Sequence, residues 1–268
     1  MPKGTCQLCL TEEVELRDSH FVSAAFLKIA FDETQDIPHP VVISPGASML
    51  SSAQATDYLL CPECEDRFSK NGENWILKHC WKGELEFPIF DILKAARPSP
   101  TSEPQFLVYD TTKIPAIDLD KLVYFGASIF WRAAMHQWRL LRPNPTKLKL
   151  GPLEEKLRAY LMGGPFPRNP VMIIVVNSGR ERMRNMMMHF PFLATRERKF
   201  DQYRFTVPGF TFQMFTGYGI PDDLRALCSV RSRQIYQAPD ADDVNMQNSL
   251  AMVRKAPRKG ALDKKDLS

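Results

Sequence analysis

Four of the six cysteines in this sequence form two Cys-x-x-Cys pairs, at positions 6 and 9 and at positions 61 and 64. A Cys-x-x-Cys turn places two thiolates on one side of a tight knuckle, and two knuckles supply a tetrahedral shell of four sulfur atoms. Zinc prefers this shell. The spacing therefore predicts one structural zinc ion held by Cys6, Cys9, Cys61 and Cys64. The 51 residues between the pairs require a folded excursion whose ends the metal would hold together.

Two other uses of paired cysteines fit the sequence less well. A redox Cys-x-x-Cys motif needs a thioredoxin-like βαβ context, and two such motifs in one such fold would be unusual. An iron–sulfur cluster also takes four cysteines, but the spacing matches neither common ferredoxin pattern. Cys80 and Cys228 stand outside both pairs and are expected to be buried as small apolar residues.

A histidine and a carboxylate accompany the two knuckles. His20 lies eleven residues after the first knuckle, and Glu73 begins the helix expected after the second. If the knuckles pack together, the two side chains approach one another. A neutral imidazole beside a carboxylate-held cation can activate water for phosphodiester hydrolysis. Structural roles stay open for both: a backbone hydrogen bond for His20, and a favourable place in the helix dipole for Glu73.

Four segments carry a resemblance to a known family: Cys-Gln-Leu-Cys at 6–9, Asp-Ser-His-Phe-Val at 18–22, Leu-Leu-Cys-Pro-Glu-Cys-Glu-Asp-Arg-Phe-Ser at 59–69, and Glu-Asn-Trp at 73–75. Together they resemble the HNH, or ββα-metal, endonucleases. The resemblance is closest to a divergent bacterial branch with Ser-His in place of the usual acidic-His pair. It covers residues 5–78, about a quarter of the chain.

The resemblance implies a fold and a set of site residues. The expected fold class is α+β, with a zinc-stapled ββα-metal (HNH-like) N-terminal module followed by a larger α+β region. His20 would be the general base, and a catalytic Mg²⁺ or similar divalent ion would be held partly by Glu73. The chain departs from the family at Ser19, where a metal-binding residue is usual, and Asp18 would point to the opposite face of a strand. Glu65 stands where Asn or His is frequent.

The resemblance also implies a function. It indicates an HNH-like nuclease that hydrolyses phosphodiester bonds in nucleic acid, DNA in preference to RNA, in a bacterial or phage defence context. Because Ser19 is a poor metal ligand, the alternative is a catalytically degenerate zinc-binding interaction or regulatory protein. A sequence-specific DNA-binding regulator is a third possibility, which a steep salt dependence of binding without cleavage would indicate.

Three regions are expected along the chain. Residues 1–98 form the HNH-like zinc-knuckle module, residues 105–237 an α+β region that could contact a protein partner, and residues 238–268 a disordered basic tail. A loop rich in proline and serine separates the first two regions. The patterns predict these elements: a helical stretch over 73–96 bent or broken at Pro88, a strand over 105–109, helices over 119–141 and 152–162, a buried strand over 171–176, and an antiparallel pair over 204–207 and 210–215 with Pro208-Gly209 as its turn.

Composition and charge limit the classes of partner that the chain is expected to bind. No apolar stretch approaches the length of about 20 residues that spans a bilayer. The N-terminus also lacks the features of a signal peptide. A cytoplasmic location without a membrane partner is therefore expected. The net charge of +4 is compatible with nucleic acid without indicating it alone. Basic runs at 180–184 and 196–199 lie near aromatic residues and could follow a nucleic-acid backbone, or form a solvated charged face.

Overall fold

The structure is a computed structural model. It describes residues 1–30, 41–44, 47–50, 55–83, 85–101, 106–136, 147–179, 185 and 188–238. Within these ranges the chain is a mixed α+β protein, as the sequence predicts. The basic run at 180–184 and all but the first residue of the tail expected at 238–268 lie outside the described residues, as does the end of the helix expected over 119–141.

Short strands and helices surround the cysteine pairs in the N-terminal part of the chain. The strands are β1 (Lys3–Gly4), β2 (Val14–Glu15), β3 (Arg17–His20), β4 (Val41–Ser44), β5 (Ala47–Leu50) and β6 (Thr56–Leu60). They form antiparallel pairs, β1 with β2, β3 with β6, and β4 with β5. The helices are α1 (Ala24–Ala30), α2 (Pro62–Phe68), α3 (Asn74–His79) and α4 (Pro88–Ala95), and a π-helical turn, Ser69–Glu73, joins α2 to α3.

The helical stretch expected over residues 73–96 is interrupted. Its first helix ends at His79 because Cys80 adopts extended backbone, with φ −68° and ψ 169°. A β-bridge between Gly83 and Glu86 follows before α4 begins. Pro88 starts that second helix, where its missing N–H leaves no intrahelical bond unmade. The stretch is therefore broken well before the proline, and Pro88 marks a start of helix where the sequence predicts a bend or break.

The remaining described elements build one sheet with helices against it. They are β7 (Leu107–Asp110), a 3₁₀ turn (Thr111–Lys113), α5 (Leu119–Met135), α6 (Leu153–Leu161), β8 (Val171–Asn177), β9 (His189–Arg196), β10 (Phe200–Val207), β11 (Phe210–Gly217), α7 (Asp222–Ala226), α8 (Ser229–Ser232) and β12 (Gln234–Ala238). The strand order is β7-β12-β8-β11-β10-β9. Strand β12 runs parallel to β8, and the other neighbours are antiparallel. The turn predicted at Pro208-Gly209 is confirmed, with Gly209 at φ +83°.

Strand β8 is covered on both faces, which explains its uninterrupted apolar sequence. Alternate side chains of a strand point to opposite faces. Met172, Ile174 and Val176 enter the main core, whereas the residues between them enter a second core formed with α8 and β12. The prediction of a buried strand at 171–176 is confirmed.

Helix α5 lies between the cysteine-bearing part of the chain and the sheet. From Leu122 to Ala134 all of its residues are buried, as expected for a stretch that is apolar on almost every side. A Cβ atom on Gly126 would lie 2.8 Å from the Phe212 ring of β11, and one on Gly72 of the π-helical turn would lie 2.9 Å from the Phe125 backbone nitrogen. Two glycines thus let α5 approach its neighbours on both sides. The main core is continuous from Cys6 to the sheet, and the boundary expected at 97–104 stays a prediction.

The bounds of α5 differ from those expected. The helix begins at Leu119, where the Asp118 carboxylate accepts a hydrogen bond from the backbone N–H of Lys121 at 3.1 Å. It ends at Met135, where His136 adopts extended backbone with φ −132° and ψ 149°, and the rest of the stretch expected up to residue 141 lies outside the described residues. Neither α5 nor any other helix among the described residues has the length and apolar character needed to cross a membrane.

Candidate metal centre and histidine site

The two cysteine pairs meet in space. The sulfur atoms of Cys6, Cys9, Cys61 and Cys64 all lie within 4.8 Å of one another. Four Zn–S bonds of about 2.3 Å in a tetrahedron set the sulfur atoms roughly 3.8 Å apart. The 3.9 Å between the sulfur atoms of Cys9 and Cys61 matches that spacing. The four cysteines can therefore hold a metal ion such as zinc, and their convergence is the one that the sequence spacing predicts.

Backbone hydrogen bonds shape the first knuckle and attach it to the second. The N–H of Leu10 donates to the Cys6 carbonyl at 2.9 Å, and Leu10 adopts the left-handed conformation with φ +62°. The Gln7 N–H donates to the carbonyl of Leu59 in β6 at 3.1 Å. This bond holds the first knuckle beside the strand that leads directly into Cys61.

The second knuckle is built on the start of a helix. Cys61 precedes α2, and Pro62 occupies the first helical position. The N–H groups of Cys64 and Glu65 both donate to the Cys61 carbonyl, at 3.1 Å and 3.0 Å. The Cys61 N–H points at the Cys6 sulfur atom, 3.4 Å away. Backbone N–H groups directed at sulfur stabilise thiolate ligands and orient them around a metal.

The thiols of Cys6, Cys61 and Cys64 differ in pKa. A hydrogen bond from Cys64 lowers the pKa of the Cys6 thiol to about 4. The pKa of the Cys64 thiol is raised, chiefly because its proton is held in that bond and also by burial. Burial raises the pKa of Cys61 to about 11. Of these three thiols Cys6 therefore ionises most readily, and a bound cation would displace the protons of its neighbours.

An arginine from α6 supports the first knuckle. The Arg158 guanidinium donates to the Leu8 carbonyl, inside the Cys6–Cys9 turn, at 2.8 Å. Two further bonds to the Glu155 carboxylate, at 2.7 Å and 2.6 Å, hold the guanidinium in place and raise the Arg158 pKa. Sequence reasoning missed this contact, because Leu8 and Arg158 are 150 residues apart.

His20 lies at the end of β3, half-buried, opposite Thr56 of β6. Ser19, the residue before it, is buried and hydrogen-bonded within the protein. Its side chain is 1% exposed, and its Oγ accepts a hydrogen bond from the N–H of Leu60 at 3.2 Å. The same hydroxyl donates to the Arg17 carbonyl at 3.4 Å. Ser19 therefore acts as a cross-strand bridge that fastens β3 to the strand leading into the second knuckle.

Glu73 is engaged in a buried ion pair. Its Oε1 accepts a hydrogen bond from Nη1 of Arg132 at 2.7 Å, and the two side chains are 12% and 1% exposed. The same nitrogen donates to the carbonyl of Phe21, which directly follows His20, at 3.2 Å. The guanidinium also lies over the Phe68 ring, 4.6 Å from its centre. Arg132 packs inside α5 as a buried cation that links α5 to the end of β3.

Two further acidic groups lie near this strand pair. Glu65, on the first turns of α2, has a buried Oε1 with no hydrogen-bond partner among the described residues. Helix α2 packs against β3, the strand that carries His20. Asp57 of β6 stands directly opposite Ser19 and pairs with His136, Oδ2 to Nε2, at 2.7 Å. Sequence reasoning had no signal for the Asp57 pair, because strand register decides it.

One group among the described residues could hold a metal ion. The four cysteines are the group of three or more His, Cys, Asp or Glu side chains that converges among them. A second cation beside His20 would therefore take few protein ligands. Comparison with protein-family models, with curated proteins and with solved structures finds no match to this chain, so the interpretation of the site depends on its own geometry.

Proposed function

We propose that this chain is an HNH-like nuclease, in which β3, β6 and α2 form a ββα unit around one structural zinc ion. The proposed reaction is hydrolysis of phosphodiester bonds in nucleic acid, with DNA as the favoured substrate and a divalent metal ion as cofactor. The observation that carries the proposal is the order of the parts. An antiparallel strand pair leads directly into a helix through a four-cysteine centre, and a half-buried histidine ends the first strand.

In this proposal His20 is the general base that takes a proton from the attacking water. Removing a positioned general base typically slows a reaction by about 10²–10⁴. A divalent ion, when bound, would polarise the phosphate. Glu65 fits as its carboxylate ligand because one oxygen is buried without a hydrogen-bond partner among the described residues. The resemblance implies that Glu73 binds this divalent ion, but Glu73 forms an ion pair with Arg132 instead. One carboxylate with water and substrate phosphate is a common way to bind Mg²⁺.

Cleavage assays on single- and double-stranded DNA and RNA test this function. Wild-type protein with Mg²⁺ or Mn²⁺ should cut at least one substrate, and His20→Ala should reduce the rate by about 10²-fold or more. Glu65→Gln should raise the metal concentration needed for half-maximal rate. His79→Ala is the matched control, since that imidazole bonds the Trp75 carbonyl and stacks on the Trp75 ring within α3. Equal rates in wild type and His20→Ala would overturn the assignment.

A second function is favoured by a specific observation. Ser19 and Glu73 are both engaged by other residues of the chain. Ser19 accepts a hydrogen bond from Leu60, and Glu73 forms an ion pair with Arg132. This pattern supports a zinc-binding interaction protein that has kept the fold and lost the hydrolytic centre. Zinc near one equivalent per chain, with no cleavage of any nucleic acid at any divalent-metal concentration, would favour this second function over the first.

A further inference from the structure

A cavity of about 510 Å³ opens between the start of α6 and one end of the sheet. Its walls come from residues 149–153 before and within α6, from the loop 197–199 between β9 and β10, and from residues 216–218 at the end of β11. The volume is within the range of about 300–1,000 Å³ typical of ligand sites. Residues 197–199 of the basic run that the sequence singles out at 196–199 thus form one wall of a concave site.

The cavity is strongly basic. Four exposed cationic side chains line it, Lys149, Lys156, Arg198 and Lys199. None of them forms a salt bridge with an acidic group in the part of the chain that the structure describes. Of the two acidic residues in the lining, Asp201 is compensated by two hydrogen bonds from Arg196, at 3.0 Å and 3.2 Å. That leaves Glu197 against four cations, a charge balance suited to a polyanion.

An aromatic side chain stands beside the cations. Tyr218 lines the same cavity and is 78% exposed, the second most exposed of the large apolar or aromatic side chains described. Its loop is fixed to the basic wall: the Gly219 N–H donates to the Lys199 carbonyl at 3.2 Å. A Cβ atom on Gly219 would lie 2.4 Å from the Lys199 Cβ, so glycine permits this close approach. The backbone that carries Tyr218 is therefore held next to Lys199.

We propose that this cavity binds a single strand of nucleic acid, with its phosphates on the four cations and one base stacked on Tyr218. Proteins that hold single strands combine a basic groove with aromatic rings in this way. The inference deepens the proposed function and depends on it for the substrate class. Helix α6 connects the two sites, because it carries Lys156 in the cavity and Arg158 on the Leu8 carbonyl of the first knuckle. A strand bound here would be held on the helix that braces the metal centre.

Fluorescence anisotropy with a labelled single-stranded oligonucleotide tests the site. The triple variant Lys156→Gln/Arg198→Gln/Lys199→Gln should bind more weakly. The slope of log Kd against log salt should become shallower by about two, since each lost phosphate contact on a single strand contributes about 0.7. Lys113→Gln is the matched control, because Lys113 follows β7 at the opposite edge of the sheet. It should leave affinity and slope unchanged.

Substitutions at Tyr218 separate a nucleic-acid strand from a simple polyanion. Tyr218→Ala should weaken oligonucleotide binding by roughly 5- to 100-fold, because the stacking of one base is lost. Tyr218→Phe keeps an aromatic ring and should bind as wild type does. Binding of inorganic polyphosphate should not respond to either change. An unchanged salt slope in the triple variant, or equal affinities in Tyr218→Ala and wild type, would refute the site.

The nuclease function and the nucleic-acid site in the cavity can be refuted independently of each other. Oligonucleotide binding that is lost in the triple variant, without cleavage by wild type, would refute the nuclease while supporting the cavity. Cleavage that requires His20, with affinity indifferent to all cavity substitutions, would support the nuclease and refute the cavity. His20→Ala should bind the oligonucleotide as wild type does, because His20 is not among the residues that line the cavity.

Discussion

Replacing Arg132 with methionine should destabilise the whole chain. Methionine keeps most of the packing volume inside α5 but leaves the Glu73 carboxylate, which is only 12% exposed, without its cation. It also removes a donor from the Phe21 carbonyl and the contact over the Phe68 ring. Removing one partner of a buried ion pair typically lowers the free energy of unfolding by about 3–5 kcal/mol. For a chain of this size the melting temperature should fall by roughly 10 °C.

Urea unfolding of the zinc-loaded protein measures this effect. The matched control is Arg233→Met, since Arg233 pairs with Asp120 at 2.5 Å but the two side chains are 40% and 76% exposed. Exposed pairs contribute about 0–1 kcal/mol, so this control should stay close to wild type. The double variant Arg132→Met/Glu73→Leu should regain much of the stability lost in Arg132→Met, because no uncompensated charge remains in the interior.

Two results would refute the reasoning. The first is a loss of stability in Arg132→Met no greater than in Arg233→Met, which would mean that the buried pair contributes no more than a surface pair. The second is a double variant whose loss equals or exceeds that of Arg132→Met, because the deficit would then come from lost packing and not from the stranded carboxylate of Glu73.

Three further predictions concern metal, pH and packing. Cys64→Ser should lower bound zinc below one equivalent, measured with a metallochromic dye, and should lower the melting temperature, measured by calorimetry. Adding a chelator to this variant should then have little further effect on its melting temperature. Unchanged zinc content would contradict the four-sulfur centre. Burial, with a smaller contribution from Arg204, lowers the pKa of His189. The unfolded chain therefore binds this proton more readily, and the free energy of unfolding should fall as the pH drops below about 6.5. Urea titrations should give a shallower decline for His189→Gln, and an identical decline would exclude this origin. Gly126→Ala should destabilise by about 1–3 kcal/mol through overpacking against the β11 ring. Gly83→Ala should leave the stability unchanged, because its added methyl group meets nothing within 4 Å. Equal urea midpoints for Gly126→Ala and Gly83→Ala would show that α5 can shift to make room.

The sequence predicts those features that local patterns determine. The cysteine spacing predicts the convergence of four sulfur atoms, and the unbroken apolar run of β8 predicts burial on two faces. Helix ends are less well predicted. Neither the break at Cys80 nor the end of α5 at Met135 falls at a proline or glycine, so the local sequence carries no stop signal there.

Contacts between distant segments have no local signal. Glu73 and Arg132 are 59 residues apart, and only the folded arrangement brings the π-helical turn against α5. An arginine inside an otherwise apolar helix does indicate a buried partner, but it does not identify the partner. The cavity beside Tyr218 likewise depends on the loop after β9 meeting the start of α6.

The position of α5, with one glycine contact on each side, bears on how the chain can be divided and supplied with metal. A fragment ending before residue 97 would leave Gly72 and its neighbours without the wall that Phe125 provides, so such a fragment should aggregate or stay unfolded. If the four cysteines hold an ion, its removal from the 268-residue chain should weaken the packing on one side of α5. Removing the metal should then lower the stability of the sheet as well, although the described residues of the sheet form no cluster of metal ligands.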